Sequence, residues 1–73
     1  MNATQSRMAR AALQLGIRDV AKLAKVAPST VSRFEAGENL NPRTVEAIQR
    51  ALEAAGVEFT NGDSPGVRLR SNK

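Results

Sequence analysis

Pro28, Ser29, Thr30, Ser32 and Arg33 fall within one stretch, "VAPSTVSRFEAG", and carry most of the chemistry this chain can offer. Hydroxyls both donate and accept hydrogen bonds, and a guanidinium presents a planar fork of donors. Ser and Thr are mediocre helix formers, because their side chains compete for the backbone. A core has no use for them. A short helix that turns Ser, Thr, Ser and Arg outward is equipped to hydrogen-bond something outside the protein. Base edges and phosphates present the matching acceptors and donors. The plainer alternatives are that Arg33 pairs with Asp19 or Glu35 on the surface, and that Ser29 and Thr30 are ordinary first-turn hydroxyls.

What the chain lacks narrows the choice. It has no Cys, His, Tyr or Trp. Neither a thiolate nor an imidazole is available as nucleophile, base or metal ligand, and no paired carboxylates or Gly-rich phosphate loop stand out. The composition points away from an enzyme, and no metal or cofactor is expected. The absence of Cys fits a reducing compartment. No apolar run approaches a membrane span and the N-terminus has no signal-like apolar segment, so a cytoplasmic protein without a membrane partner is expected.

The formal net charge of +4 is unevenly spread. Through Arg33 the bases are Arg7, Arg10, Arg18, Lys22, Lys25 and Arg33, against Asp19 alone. From Phe34 to Asp63 the acids Glu35, Glu38, Glu46, Glu53, Glu58 and Asp63 outnumber Arg43 and Arg50. Arg68, Arg70 and Lys73 then close the chain. A basic half beside an acidic half suggests one side that faces a polyanion.

The elements that must position these groups are readable from period and punctuation. Thr4 is a candidate cap for a first helix reaching about Gln14, with Met8, Ala9, Ala12 and Leu13 as its apolar stripe and Gly16 as its stop. A second helix, from about Ile17 to Lys25, turns Val20, Ala21, Leu23 and Ala24 inward and places Asp19 where the helix dipole favours an anion. Pro28 suits the first position of a third helix, Val31 and Phe34 face inward from it, and Gly37 supplies the left-handed stop. Asn41-Pro42 opens a fourth helix ending at Gly56, with Val45, Ile48, Leu52 and Ala55 on its buried face.

The period then changes. Val57-Glu58-Phe59-Thr60 and Val67-Arg68-Leu69-Arg70 alternate apolar and polar around the turn-rich "NGDSPG", in which Asn-Gly can supply positive φ. This predicts a β-hairpin with a six-residue connection. The fold class expected is an all-α core of four helices containing a helix-turn-helix, plus a C-terminal β-hairpin. Residues 1–56 would form the DNA-binding domain and 57–73 the hairpin and tail.

Helix, tight turn and short helix is the arrangement that pushes a second helix into a DNA major groove. It requires a small residue where the helices cross, an apolar anchor in the turn and two inward apolar residues on the second helix. Ala21, Val26, Val31 and Phe34 meet those requirements. With Glu35 and Gly37, the stretch "DVAKLAKVAPSTVSRFEAG" resembles the helix-turn-helix core of the phage-repressor (Cro/cI, or XRE) family of regulators, and the likeness extends from about Arg7 to Arg70. The resemblance implies that the third helix is the recognition helix and that the role is transcriptional regulation. Pro28, Ser29, Thr30, Ser32 and Arg33 would then contact bases, and Arg18, Lys22, Lys25 and Asn39 phosphates. Three residues depart from the family pattern. Ile17 stands where Gln often braces the backbone of DNA, Lys25 replaces the usual turn Gly, and Ala27 replaces the usual Ser cap.

One such domain touches few base pairs, so proteins of this class pair across a two-fold axis. Val57, Phe59, Val67 and Leu69 are expected as spare apolar surface for dimerisation, with Glu58 of one copy pairing to Arg68 or Arg70 of the other. Double-stranded DNA and a second copy of the chain are therefore the expected partners, and the most direct role is that of a repressor. Two other roles stay open: an adaptor or antiactivator that binds another regulatory protein with this fold, and an antitoxin that represses its own operon.

Overall fold

A computed structural model describes residues 1–61 and 63–70. Its elements run α1 (Ala3–Leu13), α2 (Ile17–Ala24), α3 (Pro28–Glu35), α4 (Pro42–Ala55), β1 (Val57–Thr60) and β2 (Gly66–Leu69). The expected fold class is the one observed. Residues Ala9, Val20, Ala21, Val31, Phe34, Ile48, Leu52 and Val57 form the core. Every helix contributes to it, and so does the first strand.

Each helix begins and ends for a local reason. Asn2, and not Thr4, caps α1: its Oδ1 accepts the Gln5 N–H at 2.8 Å while Gln5 Oε1 accepts the Asn2 N–H at 2.9 Å. This reciprocal pair satisfies two amides that have no intrahelical partner. Gln14, in the left-handed region at φ 59°, ends the helix in place of Gly16. Gly16 instead precedes α2, where its N–H donates to Asp19 Oδ2 at 2.8 Å. Pro28 occupies the first position of α3, and the Ala27 side chain offers no cap. Asn41 Oδ1 accepts the Arg43 N–H at 2.8 Å and opens α4, which Gly56 ends at φ 126°.

The strands pair antiparallel, Val57 with Leu69, Glu58 with Arg68, Phe59 with Val67 and Thr60 with Gly66. The alternation is as expected, but β2 starts one residue early, at Gly66, and Arg70 lies beyond it. Arg70 still donates its N–H to the Gly56 carbonyl at 2.8 Å, extending the ladder. The Asn-Gly turn includes Gly62, and the tail includes 71–73; both lie outside the described residues.

The division at Gly56 marks a change of secondary structure, and the core runs across it. Val57 is 1% exposed, and Phe59 and Val67 pack against the core. Of the four apolar residues expected as spare surface, Val57, Phe59 and Val67 are thus engaged with the core, and Leu69 is 57% exposed. Two strands by themselves are marginal in water, so the helices supply the apolar partner. Gln5 completes the attachment. Its buried amide nitrogen donates to the Thr60 carbonyl at 2.9 Å and the Gly66 carbonyl at 3.0 Å, pinning the turn end of the hairpin to α1. Arg68 pairs with Glu58 of its own chain at 2.7 Å, across the strands.

Other faces differ from expectation in three places. Leu23 is 53% exposed, because Val20, Ala21 and Ala24 already occupy the inward arc of an eight-residue helix. Ala12 and Ala55 are exposed as well. On α1 the inward positions go to Gln5, Ser6 and Ala9.

Between α2 and α3 lie Lys25, Val26 and Ala27. Lys25 adopts φ 60°, ψ 44°, which lets the Val26 N–H return to the Ala21 carbonyl at 2.9 Å and swings Val26 against the core. A side chain with a Cβ is strained in that region, by roughly 1–2 kcal/mol. Glycine relieves the strain but adds freedom to the unfolded chain. Lys25→Gly should therefore leave stability unchanged or raise it by up to about 1 kcal/mol, read as an equal or higher denaturant midpoint. A clear fall in the midpoint would show that the turn draws on the lysine side chain.

Candidate nucleic-acid interface

α3 sorts its side chains sharply. Val31, Phe34 and Glu35 are buried, while Pro28, Ser29, Ser32 and Arg33 are exposed and Thr30 is half-buried. The inward residues repeat at three and four positions, the spacing that fills one face of a helix. The hydroxyls and the arginine take what remains. Four of the five residues expected to meet bases thus share the solvent-facing side, and Thr30 sits at its margin. Arg18 and Lys22, one turn apart on α2, are exposed, and so is Lys25 in the turn that follows the helix. None of the three forms a salt bridge among the described residues. Asn39 is exposed in the segment after α3, as is Asn41, whose side chain is engaged as a cap.

Arg33 does pair on the surface, but with neither Asp19 nor Glu35. Its Nε donates to Glu38 Oε1 at 2.9 Å. Asp19 is occupied with the Gly16 amide, and Glu35 points the other way.

Glu35 is the buried ion that holds this helix in place. It is 7% exposed, at the last position of α3. Arg10 of α1 grips it with two bonds, Nε to Oε2 at 2.9 Å and Nη2 to Oε1 at 2.8 Å. Ser6 donates its hydroxyl to Oε2 at 2.7 Å, and Arg7 donates to the Glu35 backbone carbonyl. Arg10 also donates Nη1 to the Leu15 carbonyl at 3.2 Å, which ties in the loop before α2. Two residues that add to the basic count of the first half, Arg7 and Arg10, are therefore bonded to Glu35 of the same chain, Arg7 while remaining exposed. This network was not legible beforehand, since Arg10 and Glu35 are 25 positions apart.

Burial alone would raise the Glu35 carboxyl's pKa. The hydrogen bonds from Arg10 and Ser6 and the charges of Arg10 and Arg7 outweigh burial and hold it below the ordinary value of 4.5. Arg10 moves up in return, because its bond to Glu35 exceeds the opposing effect of burial. A carboxyl with a depressed folded-state pKa contributes stability that is complete above its unfolded value and fades as pH falls through the folded one. The chain should accordingly lose stability as pH drops below about 4.5, and Glu35→Gln should flatten that part of the profile in denaturant titrations. Arg10→Ala should cost about 2–3 kcal/mol, below the ~3–5 of a fully enclosed pair because Arg10 keeps some contact with water. A flat acid profile in the wild type would remove Glu35 from this role.

No group of His, Cys, Asp and Glu among the described residues could hold a metal ion, and no helix there is long and apolar enough to cross a membrane. No curated protein matches the chain. A family model described as a helix-turn-helix domain matches residues 4–60, from the first turn of α1 to the end of β1. That span holds α2, the left-handed turn at Lys25 and α3 with its outward hydroxyls, in the order the motif demands. The chain belongs to the helix-turn-helix domain family.

Proposed function

We propose that this chain is a sequence-specific, double-stranded DNA-binding transcriptional regulator, a repressor, that sets α3 in the major groove and α2 across the phosphate backbone. The observation that carries this reading is the division of α3. Its buried face is complete with Val31, Phe34 and Glu35, so Ser29, Ser32 and Arg33 have no structural duty inside the protein. Arg33 is the base reader, since a guanidinium matches the O6 and N7 acceptors of guanine. Pro28, Ser29, Thr30 and Ser32 line the same approach. Arg18, Lys22 and Lys25, with Asn39, neutralise or hold phosphates. A repressor acts by occupying its site, which asks nothing more of the molecule than this surface.

The protein acts as a homodimer in this reading, with half-sites about one helical turn apart. Neither β1 nor β2 has a third strand beside it among the described residues, and Leu69 is the exposed apolar residue on that sheet. Such an edge can receive a second copy. Leu69→Asp should then shift the sedimenting species from dimer to monomer while leaving the fold intact. A dimer indifferent to that change places the interface elsewhere.

Selection of bound sequences from random duplex DNA tests the main reading. A defined site should emerge, and Arg33→Ala should cost about 1–3 kcal/mol on it and relax preference at one base pair. Lys22→Ala should weaken binding to all duplexes and reduce the salt slope by about one unit. No enriched site, together with duplex affinity indifferent to salt, would leave the adaptor role in its place.

A further inference from the structure

α3 closes with two backbone hydrogen bonds that run back into the helix. The Gly37 N–H donates to the Phe34 carbonyl at 3.0 Å, and the Glu38 N–H donates to the Arg33 carbonyl at 3.1 Å. This is the Schellman arrangement, and it needs a left-handed residue at its centre. Gly37, at φ 96°, provides it. The arrangement brings the residue after the glycine beside the one five positions earlier, where an apolar contact commonly forms. In this chain the two residues are Glu38 and Arg33, and they form an ion pair at 2.9 Å.

Both side chains are more than half exposed, at 57% for Arg33 and 51% for Glu38, and an exposed pair adds little to stability. Its consequence is geometric. A guanidinium has five N–H donors in one plane, one on Nε and two on each Nη. Glu38 takes the one on Nε, and Nη1 and Nη2 have no hydrogen-bond partner among the described residues. Those two nitrogens are the end of the fork that reaches the paired acceptors of guanine. A carboxylate behind Nε also limits the rotamers of a long side chain, so less freedom is lost when the fork meets its target.

We infer that Glu38 is a positioning residue for base readout: held beside Arg33 by the Gly37 turn, its carboxylate orients the guanidinium for two-pronged recognition of a guanine. The inference rests on α3 being the helix that reads DNA. A carboxylate near the duplex also repels phosphates, so Glu38 lowers affinity for every sequence while sharpening the choice of one. These opposed effects separate positioning from mere charge.

The test compares wild type, Glu38→Ala, Glu38→Gln and Arg33→Ala, each shown to be folded by its thermal melt. Three duplexes are used: the site selected from random DNA, the same site with its Arg33-dependent guanine replaced, and an unrelated sequence. Glu38→Ala should bind the unrelated duplex as tightly as wild type or more tightly, yet lose roughly three- to tenfold of the preference for guanine. Glu38→Gln keeps an acceptor oxygen and should retain most of that preference. In an Arg33→Ala background, Glu38→Ala should leave the remaining preference unchanged. Undiminished or sharper preference in Glu38→Ala, while Arg33→Ala loses it, overturns the positioning role and makes Glu38 an obstacle to Arg33. If Arg33→Ala itself keeps full preference, the assignment of the reading helix fails first and the positioning role falls with it.

Discussion

Glu35 is an ionised group taken out of water at the end of the helix that must face outward, and the rest of the structure is arranged around keeping it there. Removing a carboxylate and a guanidinium from water costs several kcal/mol per ion, and only complete hydrogen bonding offsets it. Here it is complete. Both carboxylate oxygens are engaged, and no buried side-chain nitrogen or oxygen among the described residues lacks a partner. Apolar burial of Val31 and Phe34 presses α3 against the core but has no directional preference of its own. The two-pronged grip of Arg10 does have one. It joins α3 to α1, while the turn at Lys25 joins α3 to α2, so the helix is set at both ends.

The hairpin belongs to the same solution. A chain of 73 residues, without Cys for disulfides, has little apolar area to bury and gains from every element that can add to it. Val57 enters the core, Phe59 and Val67 cover its margin, and Gln5 joins the turn end of the hairpin to α1. Through Gln5, Ser6, Arg7 and Arg10, α1 anchors both the hairpin on one flank and α3 on the other. Its lack of a strongly apolar stripe follows from that duty.

The charge pattern changes meaning once the pairs are known. Six bases precede Phe34, but Arg7 and Arg10 are bonded to Glu35 of α3 and Arg33 is paired with Glu38. Arg18 and Lys22 on α2 and Lys25 in the turn after it are the remaining cations of that half, and all three are exposed. The acidic half is likewise partly internal, with Glu46 bonded to Arg50 and Glu58 to Arg68. Net charge thus overstates the positive surface available to a polyanion.

Element type, order and most ends were legible in the sequence, because their causes act within a few residues. Pro28 can start a helix, Gly37 and Gly56 can end one, Asn41-Pro42 does both parts of an N-terminus, and Val31 with Phe34 marks a face. The outward set on α3 followed from the same periodicity. Local signals also misled where two candidates stood close together: Asn2 was the better-placed cap than Thr4, since Gln5 could reciprocate, and Gln14 took the left-handed position ahead of Gly16. Tertiary structure alone decided the partners. Glu35 met Arg10 and not Arg33, Val57 entered the shared core, and Leu23 was left in solvent although its type argues for burial. Such outcomes depend on which surfaces the folded chain brings together across tens of residues. Secondary-structure period places a side chain on a face, but only the packing of the elements determines what that face meets.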